Sequence, residues 1–184
     1  MRKIIYIYTD GSAGPTNPGP GGFGVVVVNK QNEIIKVYSE KEDNTTNNRM
    51  EMKAILYAYH NYGVDITDGS FFHEVPIVYS DSSYCVNTFT NWIFGWREKG
   101  WKKANNQTPE NMDLLQEFIE LYDSGLRIDL KKIKGHAGHE YNELADKLAS
   151  GKIKCVCQLE DNDEVELDAE LLKKYEITIK KEEN

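Results

Sequence analysis

The sequence predicts an α/β protein in which a mixed five-stranded sheet is flanked by helices. Three observations lead to this class. The N-terminal part holds three consecutive strand-like segments, the first of them alternating. From Thr46 the apolar spacing lengthens to that of a helix. Beyond that point strand-like and helix-like segments interleave, giving the order β-β-β-α-β-α-α-β-α.

Residues 3–9 alternate and are rich in Ile, Tyr and Thr, the composition of a strand. Residues 11–22 read as a Gly/Pro/Asn loop. Phe23–Val28 and Ile34–Ser39 form the next two strands, joined through Asn29–Glu33 by hairpin turn chemistry. These three strands make an antiparallel meander. Met50, Ala54, Tyr57, Ala58 and Asn61 share one face of a helix, with Thr45 or Thr46 as its N-cap and Gly63 at its end. Val75–Ser80 is a short buried strand. A helix follows from Ser82 through Tyr84, Val86, Phe89 and Ile93. Pro109 is well placed to open another, which carries Met112, Leu115, Phe118, Ile119 and Tyr122. Leu126–Lys134 alternates as the fifth strand, and Tyr141–Ala149 is the last helix.

With 184 residues the chain suits one domain, residues 1–150, with a small C-terminal extension over 151–184. In that extension Cys155–Leu159 and Val165–Leu167 are spaced to pair, Asp168 to cap a short helix through Leu171 and Leu172, and Ile177 and Ile179 to continue a strand. No apolar run approaches the roughly 20 residues that span a bilayer. The N-terminal apolar stretch runs into a charged motif and reads as a strand, not a signal peptide, so the cytoplasm is the expected location. Cys85, Cys155 and Cys157 are an odd number and suggest no disulfide framework, and Cys155–Val156–Cys157 lacks the second ligand pair of a zinc site.

The net charge is −8, which argues against nonspecific coating of a polyanion. The charge is unevenly placed. Residues 155–184 hold ten acidic residues and four lysines, a net of −6, so the body carries only −2.

Four acidic residues stand in separate, distinctive surrounds: Asp10 in Tyr-Thr-Asp-Gly-Ser, Glu51 in Asn-Asn-Arg-Met-Glu-Met, Asp81 in Tyr-Ser-Asp-Ser-Ser and Asp146 in Asn-Glu-Leu-Ala-Asp-Lys. Asp10 and Asp81 fall at strand ends, where ligands gather in open sheets. Glu51 falls in the first turns of a helix. Carboxylates brought together without a cation repel and raise one another's pKa, and a divalent ion removes that penalty. Taken singly, each has an ordinary explanation: Asp81 as a cap for the helix at Ser82, Asp10 as a partner of the glycine-rich turn. The set of four, not any member, points to metal.

The motifs Thr9-Asp10-Gly11-Ser12, Asn17-Pro18-Gly19-Pro20-Gly21-Gly22-Phe23-Gly24, Thr46-Asn47-Asn48-Arg49-Met50-Glu51, Ser80-Asp81-Ser82, Gly135-His136-Ala137-Gly138-His139 and Asn142-Glu143-Leu144-Ala145-Asp146 resemble the type 1 ribonuclease H pattern, in family order, over residues 3 to about 150. The segment Trp92–Lys103 resembles the basic protrusion of the family's cellular members.

The resemblance implies a ribonuclease H catalytic domain. Its activity would be metal-dependent endonucleolytic cleavage of the RNA strand of an RNA–DNA hybrid, leaving 5′-phosphate and 3′-hydroxyl ends. Asp10, Glu51, Asp81 and Asp146 then hold two Mg²⁺ ions, for which Mn²⁺ substitutes, with Asp10 as the bridge. His136 assists proton movement or product release, His139 holds its loop, and Glu143 lies near one metal. Asn17, Asn47 and Asn48 match positions that contact the hybrid's minor groove, where the 2′-hydroxyl distinguishes RNA from DNA. Thr46 contacts a phosphate of the DNA strand. Ser83 stands where members often carry glutamine, and Asn87 compensates from the next turn. In the protrusion Trp96, Lys99, Lys102 and Lys103 grip the hybrid, with Arg97 adding charge, Glu98 offsetting it and Lys131, Lys132 and Lys134 extending the positive surface. The tryptophans there read chiefly as packing anchors. The enzyme is expected to act as a monomer. The loop Asp65–Glu74 looks longer than usual, and the acidic tail carries no family motif.

Overall fold

The computed structural model describes residues 5–67, 74–135 and 138–153. The meander is as expected: β1 (Ile5–Ala13), β2 (Gly19–Asn29) and β3 (Ile34–Thr45) pair antiparallel in sequence order. Its turn is held by Asn29, whose side-chain oxygen accepts from the backbone N–H groups of Gln31 and Glu33, and by Asn32 in the left-handed region at φ 60°. The strands are longer than the sequence indicates. Glycine and proline make residues 11–22 read as loop, yet Gly11, Ser12 and Ala13 pair with Phe23, Gly22 and Gly21. Cross-strand pairing overrides weak local propensity here and leaves residues 14–18 as the connection. β3 runs through Glu40–Asp43 because it is an edge strand, where Glu40, Lys41 and Asp43 face water and Glu42 pairs with Arg49 and Lys53 of α1.

Helix α1 (Asn47–Tyr62) follows at once. Thr46 is its N-cap, its Oγ1 accepting from the Arg49 N–H at 3.2 Å, a contact worth about 1 kcal/mol. The expected face is buried at Met50, Ala54 and Ala58, but Asn61 is exposed and its amide donates to the Tyr57 carbonyl at 2.8 Å. A second face, Met52, Ile55, Leu56 and Tyr59, is equally buried. The helix lies between the sheet on one side and other helices on the other.

β4 (Val64–Asp65) is a two-residue strand that the sequence does not announce. β5 (Ile77–Ser80) then pairs parallel to β1, with Tyr6 opposite Ile77 and Thr9 opposite Ser80. The crossover therefore sets Asp10 and Asp81 at the same end of adjacent strands. α2 (Ser83–Asn87), capped by Ser82, passes through a wide π-helical turn at Thr88–Trp92 into α3 (Ile93–Glu98). At that turn the Thr90 hydroxyl donates to the Val86 carbonyl at 2.7 Å. α4 (Met112–Asp123) starts three residues later than Pro109, with Asn111 as its N-cap at φ 56°.

The expected fifth strand is split. β6 (Leu126–Arg127) pairs with β4, whereas β7 (Asp129–Lys132) joins the main sheet parallel to β5. The main sheet order is β3-β2-β1-β5-β7. α5 (Glu140–Ala149) covers the face opposite α1 and packs Leu144 and Leu148 on Val26, Val28 and Val37. On the other face Ile7, Val25, Val27 and Val78 meet Met50, Ala54 and Ala58. A third cluster joins α1 to α2, the π-helical turn, α3 and α4 through Ile55, Tyr59, Cys85, Phe89, Ile93 and Leu115. Among the described residues no helix is long and apolar enough to cross a membrane. Cys155, Cys157, the expected elements of the tail and residues 68–73 lie outside the described residues.

Candidate active site

β1, α1 and the residue after β5 bring Asp10, Glu51 and Asp81 together, each offering a carboxylate oxygen within 4.8 Å of the others. Asp10 lies beside the last residue of β1 that pairs with β5, although β1 itself continues along β2 to Ala13. Glu51 reaches the same point because α1 sits tightly on β1. A Cβ added at Gly11 would stand 2.1 Å from the Glu51 backbone nitrogen, so glycine is what permits the approach. The Gly11 N–H donates to Asp10 Oδ1 at 2.8 Å. Behind the carboxylates the Ser80 hydroxyl faces Glu51 Oε2 at 3.5 Å and accepts from the Ser82 N–H at 3.1 Å.

Asp10 is 8% exposed and Glu51 7%, so their negative charges are poorly solvated. Burial first, and then the Asp81 charge, push the Asp10 carboxyl up to about 7. Burial, and then Asp10 itself, raise Glu51 well above the usual carboxylate range. The cluster thus resists full ionisation unless a cation joins it. Three converging carboxylates of this kind are the oxygen donor set that suits a hard divalent ion such as Mg²⁺. Beside them the Cys85 thiol is buried, pushed up to about 12 by that burial, and directed at the Asn48 carbonyl at 3.7 Å; it is a packing group.

Asp146, expected as a fourth ligand, is half-buried on α5 and stands outside the group of three, but its charge contributes to the rise at Asp10. His136 lies outside the described residues, and His139 is the exposed N-cap position of α5. Two residues that the sequence reading passed over touch Asp81. Asn142, 2% exposed, donates from Nδ2 to Asp81 Oδ2 at 3.3 Å, and Gly135 backs the same oxygen. Both sat inside motifs read for other members, and their partner is a through-space neighbour that spacing does not reveal.

The asparagines expected to read a hybrid are exposed and mutually braced. Asn17 Oδ1 accepts from the Asn47 N–H at 3.2 Å, and Asn47 Oδ1 accepts from the Ala13 N–H. Both oxygens are engaged within the protein, and among the described residues their amino groups have no acceptor. Asn48 is exposed beside them, Thr46 caps α1, and Asn87 is half-buried at the end of α2. Arg49 anchors this corner by pairing with Asp113 at 2.6 Å and with Glu42 at 3.6 Å.

In the protrusion Trp96 and Trp101 pack against the α1–α4 core, as expected of anchors, whereas Trp92 is 42% exposed. Lys99 is exposed, Lys103 half-exposed, and Lys102 donates to Thr108 Oγ1 at 3.1 Å. Arg97 makes an exposed bidentate pair with Asp123, at 3.0 and 2.7 Å.

A buried carboxylate cluster at the strand ends of this sheet topology is a site for a divalent cation, of the class used by metal-dependent nucleases. Residues 2–154 match the sequence model of the RNase H family, and the chain belongs to that family. It is 42% identical to the ribonuclease H of Agrobacterium fabrum over 147 residues, covering 80% of this chain and 92% of that one. In structure it is similar to LC9-RNase H1, described as a type 1 RNase H with the type 2 active-site motif. The TM-score is 0.62 at 29% identity, over 80% of this chain and 70% of the other. It shares its fold with LC11-RNase H1, a structure solved with an RNA/DNA hybrid. There the TM-score is 0.56 at 24% identity, over 79% of this chain and 93% of the other.

Proposed function

We infer that this protein is an endoribonuclease that hydrolyses the RNA strand of RNA–DNA hybrids, leaving 5′-phosphate and 3′-hydroxyl ends. The observation that carries the reading is the convergence of Asp10, Glu51 and Asp81 within 4.8 Å, in a chain of the RNase H family. The catalytic unit is residues 1–150, with residues 151–184 as an accessory acidic extension. It works as a monomer in the cytoplasm; one chain supplies the whole carboxylate cluster, and hybrids arise where nucleic acid is copied.

Asp10, Glu51, Asp81 and Asp146 would hold two Mg²⁺ ions, with Mn²⁺ able to replace them. When bound, the pair supplies charge neutralisation at the scissile phosphate, activation of water and stabilisation of the leaving 3′ oxygen. Asp10, which acts on both Glu51 and Asp81 within the cluster, would be the shared ligand. His136 moves a proton at the leaving group or helps release the product. Asn17 and Asn47 each accept a bond within the protein on the side-chain oxygen, which turns the amide and leaves its amino group to donate to the acceptor-rich minor-groove edge and the 2′-oxygens of the RNA strand. Asn48 and Asn87 extend this contact, Thr46 holds a phosphate of the DNA strand, and Trp96, Lys99, Lys102 and Lys103 fix the duplex along the protrusion.

The test is cleavage of an end-labelled RNA strand in an RNA–DNA hybrid, alone, and in duplex RNA, beside a duplex DNA control, with Mg²⁺ and with chelator. Cutting confined to the hybrid and dependent on metal is expected. Asp10→Asn should cut it about 1000-fold, the upper end of what removal of one charge-stabilising group at the reacting centre costs, and should leave hybrid binding intact. Cleavage undiminished by this change would overturn the site assignment.

A further inference from the structure

Asp81 differs from its two partners in how it is held. Asp10 and Glu51 are fixed by burial and by the close packing of β1 on α1. Asp81 follows the end of β5 and is half-buried, so its carboxylate needs support from elsewhere. Two neighbours provide it from opposite parts of the chain. Asn142, one turn before Asp146 on α5, donates to Asp81 Oδ2 at 3.3 Å. Gly135, just after β7, backs the same atom: a Cβ there would stand 2.4 Å from Oδ2, 3.2 Å from Cγ and 3.4 Å from Cβ of Asp81.

Neither feature is explained by folding alone. Gly135 is not in the left-handed region where glycine is needed for backbone reasons, so what it contributes is room. Asn142 is 2% exposed, and its Oδ1 is buried with no hydrogen-bond partner among the described residues. A buried amide with one end unpaired is unfavourable, and an apolar side chain of similar shape would serve packing better. What distinguishes asparagine at this position is the N–H it directs at Asp81.

We propose that Asn142 and Gly135 are positioning residues for the metal site: together they fix the Asp81 carboxylate in the orientation that faces Asp10 and Glu51. This rests on the reading of Asp81 as a metal ligand. A ligand carboxylate oriented by an outside donor binds its ion more tightly because less freedom is lost on binding. Gly135 leaves the space that Oδ2 occupies in this orientation, which any side chain there would take, and the Asn142 N–H holds the carboxylate in it.

The experiment is a titration of Mn²⁺ into the metal-free full-length protein without nucleic acid, with free Mn²⁺ read from its electron paramagnetic resonance signal and melting temperature followed in parallel. Asn142→Leu and Gly135→Ala should each weaken Mn²⁺ binding about 10-fold, the lower end of what loss of an orienting partner costs. Asn142→Leu should keep or raise the melting temperature. The double variant should lose less than the product of the single losses, because both act on one carboxylate. Binding unchanged in both variants, or weakened only in step with a lower melting temperature, would overturn the proposal. If the unsubstituted protein binds no Mn²⁺, or Asp81→Asn binds as well as it does, the reading of the metal site itself fails.

Discussion

The carboxylate site and the protrusion do opposite things with charge. In the first, three acidic groups are forced together by a framework that leaves them no escape: paired strands, a helix seated against Gly11, and buried apolar clusters on both sheet faces. In the second, charges stand on one exposed helix end and the turn after it, and settle with whatever neighbour is near. Arg97 pairs with Asp123, and Lys102 with Thr108. A buried charge keeps its geometry because moving it means moving the core. An exposed charge is partly neutralised by local partners, so a count of basic residues overstates what is left for a ligand.

The sharpest way to break the contrast is to attack the framework instead of the carboxylates. Gly11→Ala puts a methyl group into the backbone of α1, 2.1 Å from the Glu51 nitrogen and 2.4 Å from the Met50 carbonyl carbon. Neither atom belongs to a side chain that can turn aside, so α1 must shift off β1. A loss of about 3 kcal/mol in unfolding free energy is expected, at the upper end for overpacking. Chemical denaturation checks it. A stability equal to that of the unsubstituted protein would mean that the helix and strand adjust freely and that the site is not rigidly framed.

The strain in the cluster should also appear as a pH dependence with a definite sign. The Asp10 carboxyl is raised in the folded protein from 3.8 to about 7, and Glu51 is raised with it. Between those limits the folded chain holds more protons than the unfolded one, so metal-free stability is full below about 4 and is lost as the pH rises through 7. Asp10→Asn should therefore stabilise the metal-free protein by about 2 kcal/mol at pH 8, allowing for relaxation of the site, and change little at pH 4. Mg²⁺ should raise the melting temperature of the unsubstituted protein more at pH 8 than at pH 5. A melting curve whose Mg²⁺ response is the same at both values would show that the carboxylates do not share a cation.

How much of this was legible in the sequence follows the same division. Strand alternation, the Thr46 cap and the spacing of the acidic motifs are local signals, and the three carboxylates meet as their surrounds suggest. The start of β2 at Gly19 was not legible, because antiparallel pairing decides it, with Thr45 of β3 at Gly19 and with β1 from Gly21 on, while the local composition points to loop. The β4–β6 pair is two residues on each side, too short for any periodicity, and it divides what reads as a single strand from Leu126 to Lys134. The support of Asp81 by Asn142 spans 61 positions, and the capture of Arg97 by Asp123 spans 26. Contacts at such separations depend on how the sheet order folds the chain, which local pattern does not encode.

The smallest effect separates the two kinds of charge within the protrusion itself. Lys99 and Lys103 have no ion pair or side-chain hydrogen bond among the described residues, whereas Arg97 is held bidentate by Asp123. Hybrid affinity measured with chelator at several salt concentrations should fall with a slope that reports the number of phosphates neutralised. Lys99→Ala and Lys103→Ala should each reduce that slope by about one. Arg97→Ala should leave it nearly unchanged, because the guanidinium is already neutralised. Asp123→Ala is the complementary change: it releases Arg97 and should steepen the slope by up to about one. If Arg97→Ala instead lowers the slope as much as Lys99→Ala, the Asp123 pair opens on binding, and an exposed ion pair does not subtract from the basic surface after all.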